Sequence, residues 1–313
     1  MLGGKPHSRC GSSVGKERMK MVGLRDLAFA LRTPYWKPGD DFLERILEAV
    51  RGRVEDGDVI TVSEKAISTA MGNMVDEDGI KPRLSAKLIA KYWVRYVWGY
   101  LLGPACHLKS ETIRRIRSYP AEEGSVHKET ALRYVGPIYA LHWGSEGGMD
   151  ASNLPYSYVA LPLKNPEETA RRVRRYIKDK LGKNVAVMIV DTDKTYSIGK
   201  SIHLSPRPSS VRGIRTFLGP LAYMMGRALK LKRRSTPIAL AGIRMPADLA
   251  LEIAETAHKL RGSGAGRTVW EMAERFGVSL TGVTWRMLER VEHKPIVIFK
   301  FSKRRFKSER YIT

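Results

Sequence analysis

The chain predicts a mixed α/β fold in two lobes, and three observations carry that expectation. Runs of β-branched and apolar residues, Val59-Ile60-Thr61-Val62 and Val185 to Val190, have the length and composition of buried strands. A helix with marked ends precedes the second run: Asn165 at the N-cap, Pro166 at the first position, Glu167 and Glu168 in the first turn, Gly182 at the exit. Finally, 313 residues with 43% hydrophobic content suffice for a full core, as one large domain or two small ones.

Leu43, Ile46, Leu47 and Val50 keep helical spacing after Gly39-Asp40-Asp41. Asp56-Gly57-Asp58 turns the chain into the strand at Val59, and a helix follows from Glu64 to Gly72, carrying Lys65 and Ser68. Pro82 precedes a long aromatic-rich helix, Leu84 to Leu102, whose stripe of Leu88, Tyr92, Tyr96 and Leu101 predicts core or dimer surface. Gly103-Pro104 ends it, and Ser110 to Ile116 forms a shorter helix. Around Gly136-Pro137 the pattern predicts a hairpin, Ala131 to Val135 against Ile138 to Trp143. After the strand at Val185, a loop at Ser205-Pro206-Arg207-Pro208-Ser209 and a mixed stretch, Ile214 to Leu229, lead to a strand, Pro237 to Ile243. A helix from Ala247 to Leu260 runs into Arg261-Gly262-Ser263-Gly264-Ala265-Gly266, which can wrap backbone amides around an anion or act as a flexible linker. Two short helices, Trp270 to Phe276 and Leu280 to Leu288, and a strand, Pro295 to Phe301, complete the pattern.

A net charge of +23 predicts attraction to nucleotides, phosphorylated substrates, RNA or an acidic lipid surface, although surface ion-pair networks also use such residues. Clusters at Arg171-Arg172, Arg174-Arg175 and Lys232-Arg233-Arg234, with the tail Lys303 to Lys307, supply much of it. Residues 1–21 read as a basic disordered extension and 303–313 as a basic tail. No apolar run approaches a membrane span, and no apolar core follows the basic start as in a secretory signal. Two cysteines, Cys10 and Cys106, suggest no disulfide framework and fit a reducing cytoplasm.

The chemistry concentrates in Gly147-Gly148-Met149-Asp150-Ala151-Ser152-Asn153 and in Asp191-Thr192 at the end of the second strand. One carboxylate in a glycine-rich turn and another at a strand end, with a neighbouring hydroxyl, suit Mg²⁺ or Mn²⁺ holding phosphates, and Asn153 adds amide donors. Read alone, the Asp before Ala-Ser-Asn is also an ordinary Asx turn, and Asp-Thr after a strand is also a helix N-cap.

Together these pieces resemble the coenzyme F-420-0:γ-glutamyl ligase family over roughly residues 33 to 300. The resemblance rests on Thr33 to Asp41, Asp56 to Ser68, the Gly148-to-Asn153 turn with Leu161-Pro162, and Val185 to Thr192. It implies the family's two-lobed fold, an intertwined homodimer, GTP as co-substrate, Mn²⁺ or Mg²⁺, and K⁺ as a further ion. It implies Asp150, Asp191 and Thr192 as metal ligands, with Asp150, Asp191 and Lys65 catalytic. It places GTP against Thr33, Pro34, Tyr35, Trp36, Glu64, Lys65, Asn153, Gly262, Ser263 and Gly264. Its partners are a carboxylate acceptor, deazaflavin-like, and an amino acid such as L-glutamate. The sequence departs from the family at three places: Thr69 replaces a lysine, Ser263 an acidic or amide metal ligand, and Asp193-Lys194 a Gly-Arg pair. Lysine lacks arginine's bidentate fork. An insertion runs from about 267 to 292.

Three functions follow as expectations: an amide-forming ligase of this type, a diverged paralogue that binds nucleotide and metal without that reaction, and a basic RNA-binding protein on the same scaffold. Keeping both Asp150 and Asp191 weighs against the last, because a simple basic binder would gain nothing from two anionic side chains facing phosphate.

Overall fold

The computed structural model describes residues 23–301 apart from 145, 217 and 218, so the expected N-terminal extension, the C-terminal tail and Cys10 lie outside it. Among the described residues nine strands form: β1 Ala28–Thr33, β2 Val59–Ser63, β3 Met74–Asp76, β4 Tyr158–Ala160, β5 Ala186–Ile198, β6 Ile202–Ser205, β7 Ile214–Thr216, β8 Lys232–Ala241 and β9 His293–Phe299. Seven of them make one sheet in the order β1-β9-β2-β5-β6-β7, with β8 also paired to β5; β3 and β4 pair separately.

Alternation explains why both faces of the large sheet are covered. Ile60, Val62, Val187, Ile189, Ile296 and Ile298 point to one face, where the helices Phe42–Val50 and Pro166–Leu181 pack. The intervening Val59, Met188, Val190, Val297 and Phe299 point to the other, covered by the helix Ala247–Arg261 through Leu251 and Ala254. A strand buried on both sides must be apolar at nearly every position, hence the unbroken runs in the sequence.

The helix Pro166–Leu181 buries Thr169, Ala170, Val173 and Ile177 at three- and four-residue spacing, and Gly182 closes it in the left-handed conformation (φ 67°). Asn165 occupies the N-cap position, but its side chain makes no capping bond.

Several expectations need correction. Residues 131–143 form no hairpin: a helix Ala121–Tyr134 is followed by a short one, Pro137–Ala140. Gly136 takes φ 98° between them, and Pro137 starts the second helix, where its missing N–H costs nothing. The stretch from Leu280 is helical only over Trp285–Leu288, capped by Thr284. The strand expected at Pro237 begins at Lys232, while the last strand runs from His293 and stops at Phe299.

The aromatic helix forms, as a turn of α-helix Leu84–Leu88 continuing as a π-helix Ile89–Leu102. The stripe expected to be core or dimer surface, Leu88, Tyr92, Tyr96 and Leu101, is not core but faces outward. The buried line is Ala86, Ala90, Val94 and Trp98, the last three packed on Cys106, Ile116 and Tyr119, with the alanines letting the helix approach closely. Among the described residues no helix is long and apolar enough to cross a membrane.

Candidate active site

Parallel pairing aligns Ser63 with Val190, where β2 ends, while β5 runs on to Ile198 instead of stopping at Val190 as expected. Glu64-Lys65 and Asp191-Thr192 therefore lie side by side just past the end of that pairing. The small sheet supplies the third component: backbone bonds between Asp150 and Ala160 (3.1 and 3.0 Å) fix Asp150 beside the start of the helix Glu64–Ala70.

Lys65 Nζ donates to Asp150 Oδ2 at 2.8 Å, to the Ser152 carbonyl at 2.8 Å and to Ser152 Oγ at 2.9 Å, using all three ammonium protons. Asp150 Oδ1 accepts from the Ser152 N–H at 2.7 Å, so the Asx turn left open by the sequence is present alongside the ion pair.

Asp191 lies where the β5–β8 register breaks, between Asp191 and Lys194, and this irregularity lifts Thr192 and Asp193 out of the regular ladder. Its Oδ1 accepts from the Thr192 N–H at 2.6 Å and its Oδ2 from Arg207 Nη1 at 2.5 Å. Arg207 also grips both oxygens of Glu64, with Nη2 to Oε1 at 3.0 Å. Burial would lower the Arg207 pKa, but Asp191 and Glu64 more than offset that and raise it well above its ordinary value. Burial pulls the Glu64 carboxyl upward, yet the two-pronged contact is the geometry of an ionised pair. Asp193 is pushed well up by burial first, then by repulsion from Asp191, Asp150 and Glu64, with Arg207 opposing.

Sequence reasoning missed Arg207. Its signal was an arginine held between two prolines, Pro206 and Pro208, a stiff segment with few backbone donors. Gly148 is required beneath it: φ is 93°, and a Cβ there would lie 2.3 Å from Arg207 Cζ.

Of the ten residues assigned to GTP, Tyr35, Trp36, Lys65, Asn153, Gly262, Ser263 and Gly264 line a cavity of about 300 Å³ together with Arg261, whereas Thr33, Pro34 and Glu64 do not, Glu64 being held by Arg207. Tyr35 donates its hydroxyl to the Asn153 carbonyl at 2.6 Å, and burial raises its pKa with help from Asp150. Thr33 donates to the Pro34 carbonyl at 2.9 Å. Trp36 is buried with its indole N–H lacking a partner. The Asn153 amide is engaged by the loop: it donates to the Ser263 and Gly266 carbonyls at 3.3 and 2.8 Å and accepts from the Ala265 N–H at 2.6 Å. Asn153 thus shapes the loop from behind, with φ 56°. Gly262 and Gly264 take φ 73° and 61°. Burial drops Arg261 to about 10, and its Nη1 is buried without a partner on the cavity wall.

A second cavity, about 490 Å³, lies on the other side of Asp150, Ser152 and Thr192, which line both. Tyr119, Trp143, Tyr223 and Trp270 give it an aromatic wall. The insertion contributes to both cavities: Arg267 lines each, Trp270 enters the larger, and Trp285 packs edge-on against Tyr35 at 6.3 Å.

Of the family departures, Thr69 lines the smaller cavity and is nearly buried. Lys194 turns to Glu255 and Ser235, at 2.8 and 2.9 Å. Among the described residues no group of three His, Cys, Asp or Glu side chains is placed to hold a metal ion unaided. Asp150, Asp191 and the Thr192 hydroxyl are a hard-oxygen set of the size Mg²⁺ uses when phosphate oxygens and water complete its shell. That set fits a cation arriving with a nucleotide, provided Lys65 and Arg207 share the carboxylates with it.

Residues 30–298 match the family model described as F420-0:Gamma-glutamyl ligase. An uncharacterized protein of Methanocaldococcus jannaschii is 33% identical over 90% of this chain and 98% of its own length. The coenzyme F420:L-glutamate ligases of Methanopyrus kandleri and Archaeoglobus fulgidus are 27% and 30% identical over 50% and 51% of this chain. Those matches span only 55% and 57% of the two ligases' own length.

Proposed function

The chain belongs to the F420-0:gamma-glutamyl ligase family, and from that premise we propose that it is an amide-forming ligase using GTP and Mn²⁺ or Mg²⁺. One observation carries the reading: two cavities of different character share the wall Asp150-Ser152-Thr192. A nucleotide in the basic cavity and a carboxylate acceptor in the aromatic one would meet at that wall.

In the smaller cavity Lys65 and the spare donor of Arg261 face the phosphates. The acceptor carboxylate attacks the γ-phosphorus, the bond to the β-phosphate oxygen breaks, and GDP leaves an acyl phosphate. The amine of an amino acid such as L-glutamate then attacks the acyl carbon, loses a proton and expels phosphate. Asp150, Asp191 and Thr192 would hold the divalent ion, which supplies neutralisation of phosphate charge when bound. Lys65 supports the same charge from the protein side, and Arg207 keeps Glu64 and Asp191 in place. The relatives' names point to a deazaflavin acceptor, and the reduced, buried Cys106 fits turnover in the cytoplasm.

A second reading, nucleotide binding without ligation, has its own support: Lys65 and Arg207 already neutralise both carboxylates, and Thr69 and Ser263 remove two expected phosphate or metal contacts. Calorimetric titration of GTP, with ATP in parallel, with and without Mn²⁺, tests both. Metal-dependent GTP binding lost in Asp191→Asn supports the site, and a mass increase of deazaflavin on incubation with L-glutamate then supports the ligase. Binding without any acceptor product favours the second reading. No nucleotide binding by folded protein refutes both.

A further inference from the structure

The outward face of the helix Leu84–Leu102 is not used by the proposed reaction. Tyr92, Tyr96 and Tyr100 are 50%, 58% and 59% exposed, and their rings stand in a ladder. Neighbouring centroids are 6.3 and 6.2 Å apart, with planes tilted by 22° and 17°. Beside this ladder runs a second one, Lys87, Lys91 and Arg95, displaced by one residue and with the same four-residue step. The buried line on this helix, Ala86, Ala90, Val94 and Trp98, has the same four-residue step, so the ladder of tyrosines keeps to the outward side.

Within its own segment the charge has one sign, although Arg83 is taken up by Glu129 of the neighbouring helix at 2.8 Å. Residues 79–110 contain Lys81, Arg83, Lys87, Lys91, Arg95 and Lys109 and neither Asp nor Glu. Arg117, from the next helix, lies over the Tyr100 ring at 4.1 Å. Lys87 and Lys91 have no acidic partner among the described residues, and Arg95 is braced by a 2.6 Å bond from its Nε to the Tyr119 carbonyl. Exposed aromatic rings next to a track of cations are what a single strand requires, since bases stack on the rings while phosphates follow the charges. The ring spacing is close to twice the step of about 3.4 Å per nucleotide, so a small rotation admits a base between neighbours. A second copy of the chain suits the face less well, because symmetric pairing would set the lysine ladders against each other.

We propose that the Tyr92–Tyr96–Tyr100 ladder with Lys87, Lys91 and Arg95 is a binding surface for single-stranded RNA. It is independent of the ligase reading, which concerns the opposite side of the Trp98 layer.

The test is fluorescence anisotropy of a labelled oligouridylate of about twelve nucleotides, a length within the usual site size, with the full chain at increasing KCl. Tyr92→Ala and Tyr96→Ala should each weaken binding about tenfold, and Tyr96→Phe should leave it unchanged. Lys87→Gln combined with Lys91→Gln should reduce the log–log salt slope by about 1.4, at about 0.7 per phosphate contact on a single strand. Unchanged urea midpoints in these surface variants would confirm that folding is intact. Four outcomes would overturn the proposal: no binding at low salt; tyrosine variants that bind like the parent; equal competition by duplex RNA, which has no free base faces; or a dimer that sedimentation shows broken by Tyr96→Ala while RNA affinity is unaltered.

Discussion

His127 sits in a largely buried chain of alternating charge that lines the larger cavity, and its ionisation should be readable as stability. Its Nδ1 is 3.0 Å from Glu77 Oε1 and its Nε2 3.4 Å from Glu146 Oε2, while Lys128 holds the other oxygen of Glu146. Burial favours neutral imidazole, but the two carboxylates outweigh it and raise the His127 pKa from 6.5 to about 10. A group whose folded pKa lies above its unfolded value stabilises the protein fully below the unfolded value. That stabilisation is lost as pH rises through the folded value, here between about 6.5 and about 10. At about 1.4 kcal/mol per tenfold in proton affinity the contribution reaches roughly 5 kcal/mol as an upper bound. Urea unfolding of the parent and of His127→Gln, from below pH 6.5 to above pH 10, measures it. The large net positive charge relaxes with pH in both proteins and cancels in their difference. The parent's advantage should shrink steadily across this window. An advantage that stays constant would refute a charged imidazole and leave only the neutral hydrogen bonds.

Other consequences follow from the same contacts. Arg207→Met strips the cation from two buried carboxylates and should cost about 3–5 kcal/mol in urea unfolding; a loss below about 1 kcal/mol would contradict the ionised triad. Gly148→Ala should destabilise by about 1–3 kcal/mol, since both its φ and the Arg207 guanidinium oppose a Cβ; a parent-like midpoint would show that the turn relaxes freely. Trp270→Ala should raise the acceptor KM while GTP binding by calorimetry stays unchanged, and a parallel loss of GTP affinity would contradict separate cavities.

The strands at Val59 and Val185 and the helix at Pro166 were legible because each obeys a local rule: apolar runs for two-sided burial, and residues with fixed preferences at helix ends. The hairpin expected at Gly136 failed on a local ambiguity, since Gly-Pro suits a helix start as well as a turn. The aromatic helix was legible as a helix, but the line it buries was not. Its hydrophobic residues are the large ones, but close packing selected the small ones, Ala86 and Ala90, for the interior. Lys232-Arg233-Arg234 looked like a solvated cluster, yet Arg234 is buried in β8 against Asp248 and Glu252 at 2.8 and 2.9 Å. Arg207 was hidden by distance: Glu64 is 143 positions away, and only the folded sheet brings them together. Of the residues assigned to the site, Lys65, Asp150, Asp191 and Thr192 converge at one strand edge. Asn153 and the glycine loop come together as well, in a way that no spacing in the sequence specified.

That last contact constrains how this protein can change over generations. Asn153 touches the glycine loop through three separate bonds, and a Cβ at Gly264 would lie 2.5 Å from its Oδ1. The backbone N–H of the same residue reaches Met272 Sδ in the insertion at 2.7 Å. The turn at Asn153 and, more than a hundred positions on, the glycine loop with the insertion that follows it therefore drift as one heritable unit. A lineage that altered the glycine loop to accept another nucleotide would have to rewrite position 153, and with it the turn bearing Asp150, in the same episode. New specificity here should arise in coordinated jumps, while the outer helices remain free to vary one residue at a time.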